Sequence, residues 1–147
     1  MAEMAYKGAR TNPSVASNHV RKYRYVEGNT CLREREDGSC AKYNEVRETD
    51  YTDAYISGVI NSDRVSNVFV NGRPVACTGD SVTETESYSL GGWKLDYSDE
   101  GGTGHITGGS STVYVNGRQV ATAGSSVTTH ARTTTTIAEG SSNVHIN

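Results

Sequence analysis

Apolar and polar side chains alternate in three short segments of this chain. Val68 and Val70 flank Phe69, and the same order of valine, aromatic and valine returns at 113–115. A third segment, 144–146, places a histidine between valine and isoleucine. A period of two residues is typical of a strand with one buried face. We therefore predict three strands with their aliphatic residues on one face, and with these residues on the other: Phe69, Tyr114 and His145.

The first two of these strands are each followed by Asn-Gly, at 71–72 and at 116–117. Both residue types tolerate a positive φ, so this dipeptide favours a two-residue hairpin turn. The return strands would be 74–79 (PVACTG) and 119–124 (QVATAG). We therefore predict that each of the first two copies is a β-hairpin.

The third copy, residues 141–147, stops before any return strand. A matching segment lies near the N-terminus at 4–8, where Ala5 and Gly8 have the spacing of the Ala and Gly in the other return strands. We expect this segment to pair with the C-terminal strand. Such pairing would close a three-fold arrangement and remove an exposed strand edge.

Three hairpins around a pseudo-three-fold axis predict one mostly-β domain over residues 1–147, shaped as a small prism or cone. The connecting segments differ in length: 9–65, 80–110 and 125–141. Residues 20–56 of the first segment are predicted to be an insertion on the flank. Composition agrees, because only 34% of the residues are apolar while glycine is abundant and proline scarce. This balance favours a turn-rich β structure without a large apolar core.

Charge and motifs exclude several classes of function. A net charge of −3 argues against a nucleic-acid binder, which needs an excess of Lys and Arg. The N-terminus lacks the apolar stretch of a signal peptide, so we expect synthesis in the cytoplasm. Hydrolase, phosphate-loop and zinc-protease motifs are absent, and the carboxylates Asp96, Asp99 and Glu100 stand among glycines that give no fixed geometry. We expect that the protein is not an enzyme.

One motif resembles the signature of the PAAR-repeat proteins. It consists of 72–80 (GRPVACTGD), a later loop histidine, and 137–147 (IAEGSSNVHIN), and 104–110 looks like a second such loop. The resemblance covers 4–19 and 57–147. It departs from the family pattern because the Arg that follows Ala-Ala in the family, and its Asp after the Gly, are not kept in every copy. The residues at the Arg position are Tyr6, Cys77 and Thr122, and those at the Asp position are Ala9, Asp80 and Ser125.

The resemblance implies a mechanical function. PAAR-repeat proteins cap and sharpen the trimeric β-helical spike of contractile tails and secretion machines, one tip per spike trimer, and contact the target envelope transiently. We expect this location here, and the lack of an effector extension favours a phage tail. The flat end built by the three hairpins should dock on the spike. Its predicted docking residues are Val68, Val70, Val113, Val115, Val144 and Ile146.

The resemblance also implies one metal ion at the apex, zinc or alternatively iron, held by histidines and a cysteine. Three of the four histidines fall one per connecting segment. His19, His105 and His130 are therefore the predicted ligands, and neutral imidazole suits either metal. His145 shares the strand register of the exposed aromatic residues and is expected to belong to the hairpin layer.

The fourth ligand remains open among the cysteines and other groups. Cys77 occupies a strand position, where a buried and inert thiol is the simplest interpretation. Cys31 and Cys40 flank eight residues of the insertion and could close a disulfide on an oxidising surface. Alternatively, any one of the three could complete the metal site.

A second function class fits the Ser-, Thr- and Tyr-rich surface. A small β module of a phage fibre could bind a receptor or a carbohydrate instead. The two hypotheses differ in assembly, because a tip should be a monomer that joins a spike trimer. A receptor knob would more usually form its own trimer.

Overall fold

The computed structural model describes residues 2–62 and 67–146. Positions 65, 66 and 147 of the predicted repeats therefore lie outside the described residues. The described part is built of β-strands and contains no helix, which confirms the mostly-β fold, and so it offers no helix able to cross a membrane. The strands are β1 (Ala2–Glu3), β2 (Ser14–Glu34), β3 (Cys40–Ile60), β4 (Phe69–Val70), β5 (Arg73–Pro74), β6 (Ser81–Ser87), β7 (Lys94–Tyr97), β8 (Gly101–Ile106), β9 (Tyr114–Val115), β10 (Arg118–Gln119), β11 (Ser126–Thr128), β12 (Thr134–Thr136) and β13 (His145–Ile146).

The two predicted Asn-Gly hairpins are present. In the first, Val70 pairs with Arg73, and in the second Val115 pairs with Arg118. Both turns have φ of 52° at the asparagine and 80° at the glycine. Positive φ at both central residues defines the tight turn that matches the twist of paired strands. The local sequence therefore fixes the form of both hairpins.

The third hairpin is made from the two ends of the chain. Strands β1 and β13 are antiparallel, with Ala2 opposite Ile146 and Glu3 opposite His145. The backbone N–H of Met4 then donates to the carbonyl of Val144 at 3.0 Å. The corresponding bonds in the other two hairpins also measure 3.0–3.1 Å. The predicted pairing of the termini is confirmed.

A closed ring of three backbone hydrogen bonds joins the hairpins at the axis. Ala76 N–H donates to the carbonyl of Ala5 at 3.1 Å, and Ala121 N–H donates to that of Ala76 at 2.8 Å. The bond from Ala5 N–H to the carbonyl of Ala121, at 2.9 Å, completes the ring. All three alanines are 0% exposed, so larger side chains would overpack this point. Each hairpin thus donates one backbone hydrogen bond to one neighbouring hairpin and accepts one from the other.

Two small apolar clusters adjoin this alanine ring. We call the first the base cluster, because the hairpins build it. The second, which we call the barrel cluster, contains the ring alanines and residues from the chain segments that follow them. The base cluster consists of Met4, Val70, Val75, Cys77, Val115 and Val120, with Val68, Val113, Val144 and Ile146 packed against it. The barrel cluster consists of Ala5, Ala9, Ile60, Ala76, Val82, Ile106, Ala121, Val127 and Ile137.

The main sheet curls around the barrel cluster. Its strand order is β12-β11-β8-β6-β3-β2-β7. The segment 10–12 closes the gap between β12 and β3: Asn12 N–H donates to the carbonyl of Thr136 at 2.8 Å, and Thr11 N–H to that of Gly58 at 3.0 Å. Six strand segments therefore enclose the cluster, and we call this enclosure the barrel.

Strands β2 and β3 contain the predicted insertion and continue as a two-stranded ribbon. Strand β7 pairs with β2 as far as Tyr23, and β6 pairs with β3 as far as Tyr55. Beyond these points β2 and β3 pair only with each other among the described residues, over roughly 35 Å at about 3.3 Å per residue. A disulfide between Cys31 and Cys40 joins the strands near the ribbon end. The disulfide alternative therefore applies to these two cysteines.

Deleting residues 2–8 should destabilise the protein as severely as deleting 142–146, because the two segments complete one hairpin and the first also breaks the alanine ring. We expect each deletion to cost more than about 4 kcal/mol of unfolding free energy, as buried backbone and side-chain contacts are lost together. Chemical denaturation measures the cost. Arg33→Ala, on the exposed ribbon, is the control. An N-terminal deletion with wild-type stability would contradict the paired termini.

Candidate metal centre

Strand β6 directs every second side chain into the barrel. Val82 belongs to the barrel cluster, and Glu84, the next inward residue, is only 3% exposed. Glu86 follows with a fully buried side chain. Because alternate residues of a strand share one face, two carboxylates continue the line that Val82 begins. The barrel interior therefore changes from apolar to charged along a single strand.

Glycines on the facing strand β8 leave room for this charged layer. A Cβ at Gly104 would lie 2.8 Å from Oε2 of Glu84. A Cβ at Gly102 would lie 2.5 Å from Cγ of His130. Both distances are too short for real atoms, so a side chain at either position would displace the carboxylate or the ring. The two glycines thus shape the site.

His130 lies between the two glutamates. Its backbone N–H and its Nδ1 are each 2.7 Å from Oε1 of Glu84, while its Nε2 is 2.7 Å from Oε1 of Glu86. The loop that carries His130 is held by a 2.7 Å hydrogen bond between the hydroxyls of Thr129 and Thr133. The ring is therefore fixed from both sides and through its backbone.

His19 reaches the same carboxylate from β2. Its Nε2 lies 2.9 Å from Oε1 of Glu86 and 2.8 Å from Oδ2 of Asp99. The pairing of β2 with β3 shifts between Ala16 and Val20, and Asn18 within this irregularity has φ of 55°. A bulge of this kind re-aims a side chain, which here turns the imidazole toward Glu86.

Four groups converge at this point: His19, Glu86, Asp99 and His130. Their potential ligand atoms all lie within 4.8 Å of one another. The two imidazole rings stand edge to face with centroids 6.1 Å apart. Two nitrogen and two oxygen donors form a set that zinc and iron(II) both accept. The cluster could therefore hold a metal ion.

The electrostatics of the site favour the charged forms of His130 and Asp99. Burial of the His130 ring opposes protonation, but the hydrogen bonds and charges of Glu84 and Glu86 outweigh it and raise the pKa of His130. The hydroxyl of Tyr97 donates to Asp99 at 2.8 Å and, together with His19, lowers the pKa of that carboxyl against the effect of burial. When the His130 ring is protonated, it and the carboxylates hold one another in place without a metal.

The structure brings together two of the three predicted histidine ligands. His19 and His130 are in the cluster, but His105 is exposed on β8, where it pairs with Ser81 and Thr128. The alternation of β8 explains this placement, because its neighbours Gly104 and Ile106 face inward and His105 must face outward.

The cysteines do not join the histidines. Cys77 is a buried free thiol in the base cluster, and burial raises its pKa, so it stays protonated and inert. Cys31 and Cys40 are consumed by their disulfide. The groups that accompany the imidazoles are carboxylates instead of a thiolate.

Sequence reasoning missed Glu84 and Glu86, and it discounted Asp99 because of the surrounding glycines. A signal was present in the alternation of Val82, Glu84 and Glu86 along one strand face. Alternate glycines at 102 and 104 in a β segment were a second signal, since glycine in a strand often marks a close approach.

The predicted docking residues divide into two groups. Val70 and Val115 are 2% and 8% exposed and belong to the base cluster itself. The others are half-buried at its margin and retain surface that a partner could cover: Val68, Val113, Val144 and Ile146. Their exposed strand neighbours are Phe69, Tyr114 and His145, as the alternation predicts.

Residues 100–147 match the family model described as PAAR motif. The chain contains a PAAR motif. The match runs from β8 to the C-terminal end, so it includes the second hairpin, the His130 loop and the strand that pairs with the N-terminus. No curated protein and no solved structure matched the chain. The motif indicates a spike-tip-related function in contractile injection systems, association with a spike partner, and a location on a tail or secretion-machine spike.

The pKa of His130 predicts how stability depends on pH in the absence of metal. Because its folded-state pKa is raised, the His130 contribution is complete below the ordinary value of about 6.5 and is lost as the pH rises through the folded-state pKa. We expect wild-type unfolding free energy, measured with a chelator present, to fall across this range. His130→Gln should show a flatter profile, and the exposed-site control His145→Gln should follow wild type. Parallel wild-type and His130→Gln curves would contradict the assignment.

Proposed function

We propose that this protein is a structural tip that caps and sharpens the trimeric β-helical spike of a contractile tail or injection machine, so that the spike can pierce an envelope. The observation that carries the proposal is the alanine ring with its three hairpins. One chain with three equivalent hairpins matches a partner with three-fold symmetry, at one tip per spike trimer. The PAAR motif supports the same conclusion. In this proposal the function is mechanical and not catalytic.

The end of the molecule built by the three hairpins, around the base cluster, is the proposed docking surface. Each hairpin offers half-buried aliphatic side chains beside the base cluster, including Val68, Val113 and Val144. Apolar surface arranged three times around an axis can be covered equally by three spike chains. Its removal from water would supply much of the binding free energy.

The proposed metal ion is zinc, with iron as the alternative, held by His19, Glu86, Asp99 and His130. These residues come from β2, β6, the β7–β8 connection and the β11–β12 loop. An ion at this point would cross-link four segments just beyond the apolar part of the barrel. Because unpaired ligands in an unfolded chain do not form such a site, metal binding stabilises the fold.

The ribbon favours a second candidate function. Tyr25 and Tyr51 are 52% and 51% exposed, and Tyr43 is also exposed on the two strands. Side chains with a broad apolar face and a polar end are common at recognition surfaces. The alternative of a receptor- or carbohydrate-binding module of a fibre would use this ribbon. It predicts a self-associated trimer and no complex with a spike.

Metal content should distinguish cluster residues from the other histidines. We expect about one zinc or iron ion per purified chain and a loss of most of it in His19→Ala and His130→Ala, because each removes a ligand. His105→Ala and His145→Ala are matched controls that should keep wild-type content. Elemental mass spectrometry of each variant measures the ratio. Undiminished metal in both cluster variants would refute the proposed centre.

Docking can be tested with a charge on the base. Val144→Asp should abolish spike binding, since a buried carboxylate at an apolar interface is strongly unfavourable. Glu36→Gln on the ribbon end should have no effect. Native mass spectrometry of each variant with the spike protein of the same machine gives the stoichiometry. A folded Val144→Asp variant, checked by circular dichroism, that still binds the spike would contradict the docking surface.

A further inference from the structure

Glu84 is a charged residue in an unfavourable position inside the barrel. Its side chain is almost fully buried, two residues beyond Val82 on the inner face of β6. A carboxylate in such a position is strongly disfavoured unless both of its oxygens are hydrogen-bonded. Its Oε1 accepts two hydrogen bonds, but its Oε2 has no hydrogen-bond partner in the described part of the chain. An apolar residue would fit the neighbouring interior better, as Val82 does. Such a group points to a role beyond stability.

The contacts of Glu84 define the orientation of His130. A carboxylate only accepts hydrogen bonds, so the 2.7 Å contact with Nδ1 requires a proton on that nitrogen. By the same rule the 2.7 Å contact of Nε2 with Glu86 requires a proton there when no ion is bound. An ion would displace this proton and take the lone pair of Nε2, because Nδ1 keeps its own proton. Nε2 faces Glu86 at 2.7 Å and Asp99 at 3.9 Å. The backbone bond to the same oxygen fixes the loop as well as the ring.

We propose that Glu84 is a positioning residue of the metal centre, which holds His130 with a protonated Nδ1 so that Nε2 is always directed at the ion. This inference rests on the metal binding proposed above. Glu84 does not ligate the ion in this arrangement. Its charge also makes the imidazole a stronger donor, as carboxylates bonded to ligating histidines do.

A purely structural ion pair between Glu84 and His130 is the competing explanation. The two explanations differ in what the loss of Glu84 does to the zinc affinity of the folded chain. If the pair is purely structural, removing Glu84 takes one partner from a buried ion pair and strongly destabilises the metal-free fold, but the zinc affinity of the chain that remains folded is unchanged. Loss of a positioning carboxylate weakens metal binding by roughly 10- to 100-fold. Only the positioning role lowers the zinc affinity of a variant that remains folded.

The experiment uses the full chain and zinc alone, with affinity measured by competition against a chromogenic chelator. We expect E84M to bind zinc roughly 10- to 100-fold more weakly than wild type. E84Q keeps an acceptor for Nδ1–H but loses the charge, so its zinc affinity should lie between those of wild type and E84M. The matched control is E139Q, at an exposed carboxylate paired with Arg10, which should bind as wild type does.

A second measurement reports the tautomer directly. In the zinc-loaded wild type, nitrogen-15 NMR should show a His130 Nδ1 proton protected from exchange with water, and E84M should lose this protection. Unchanged zinc affinity in either folded variant would overturn the role of Glu84 and leave the metal centre standing. A wild-type chain that binds no zinc and no iron would instead overturn the centre, and the positioning role with it.

Discussion

The ring of backbone hydrogen bonds among Ala5, Ala76 and Ala121 is the constraint on which the rest of the structure depends. It holds three chain segments at one point, and only methyl side chains fit there. The chain leaves the ring in the same way in all three copies. The glycine three residues after each ring alanine donates its backbone N–H to an isoleucine carbonyl, at 2.8–2.9 Å. The ring therefore sets the register of the base hairpins on one side and of the barrel strands on the other.

This geometry explains why the core is small and why a charged cluster continues it. Close to the axis there is space for alanines and a single layer of valines and isoleucines. Farther along β6 the interior is occupied by Glu84 and Glu86, and Gly104 and Gly102 leave room for Glu84 and His130. Hydrophobic burial cannot hold the strands there, so ionic contacts with His130 and His19 do so, and a metal ion in the same place would strengthen the connection.

Much of the fold was predictable because its signals are local. A two-residue period and an Asn-Gly turn specify a hairpin within about ten residues, whatever surrounds it. The pairing of the termini followed from comparing the copies, since an incomplete third repeat needs a partner and residues 4–8 have the matching spacing. The family resemblance, with one histidine in each connecting segment, placed His19 and His130 among the candidate ligands.

The composition of the candidate site was decided only by tertiary structure. Whether a histidine meets the others depends on strand register, and a shift of one residue reverses the direction of every side chain. The alternation of β8 turns His105 outward, whereas the bulge before Val20 turns His19 inward. Glu86 and Asp99 are far from His19 in sequence and meet it only because the curled sheet brings side chains of β6, the β7–β8 connection and β2 together. The sequence by itself thus determined the repeat, the turns and the closure of the chain. The strand registers of the folded protein bring carboxylates, and not a thiolate, to the two histidines. Which side chains meet there depends on pairing between residues far apart in the sequence, which the sequence alone does not show.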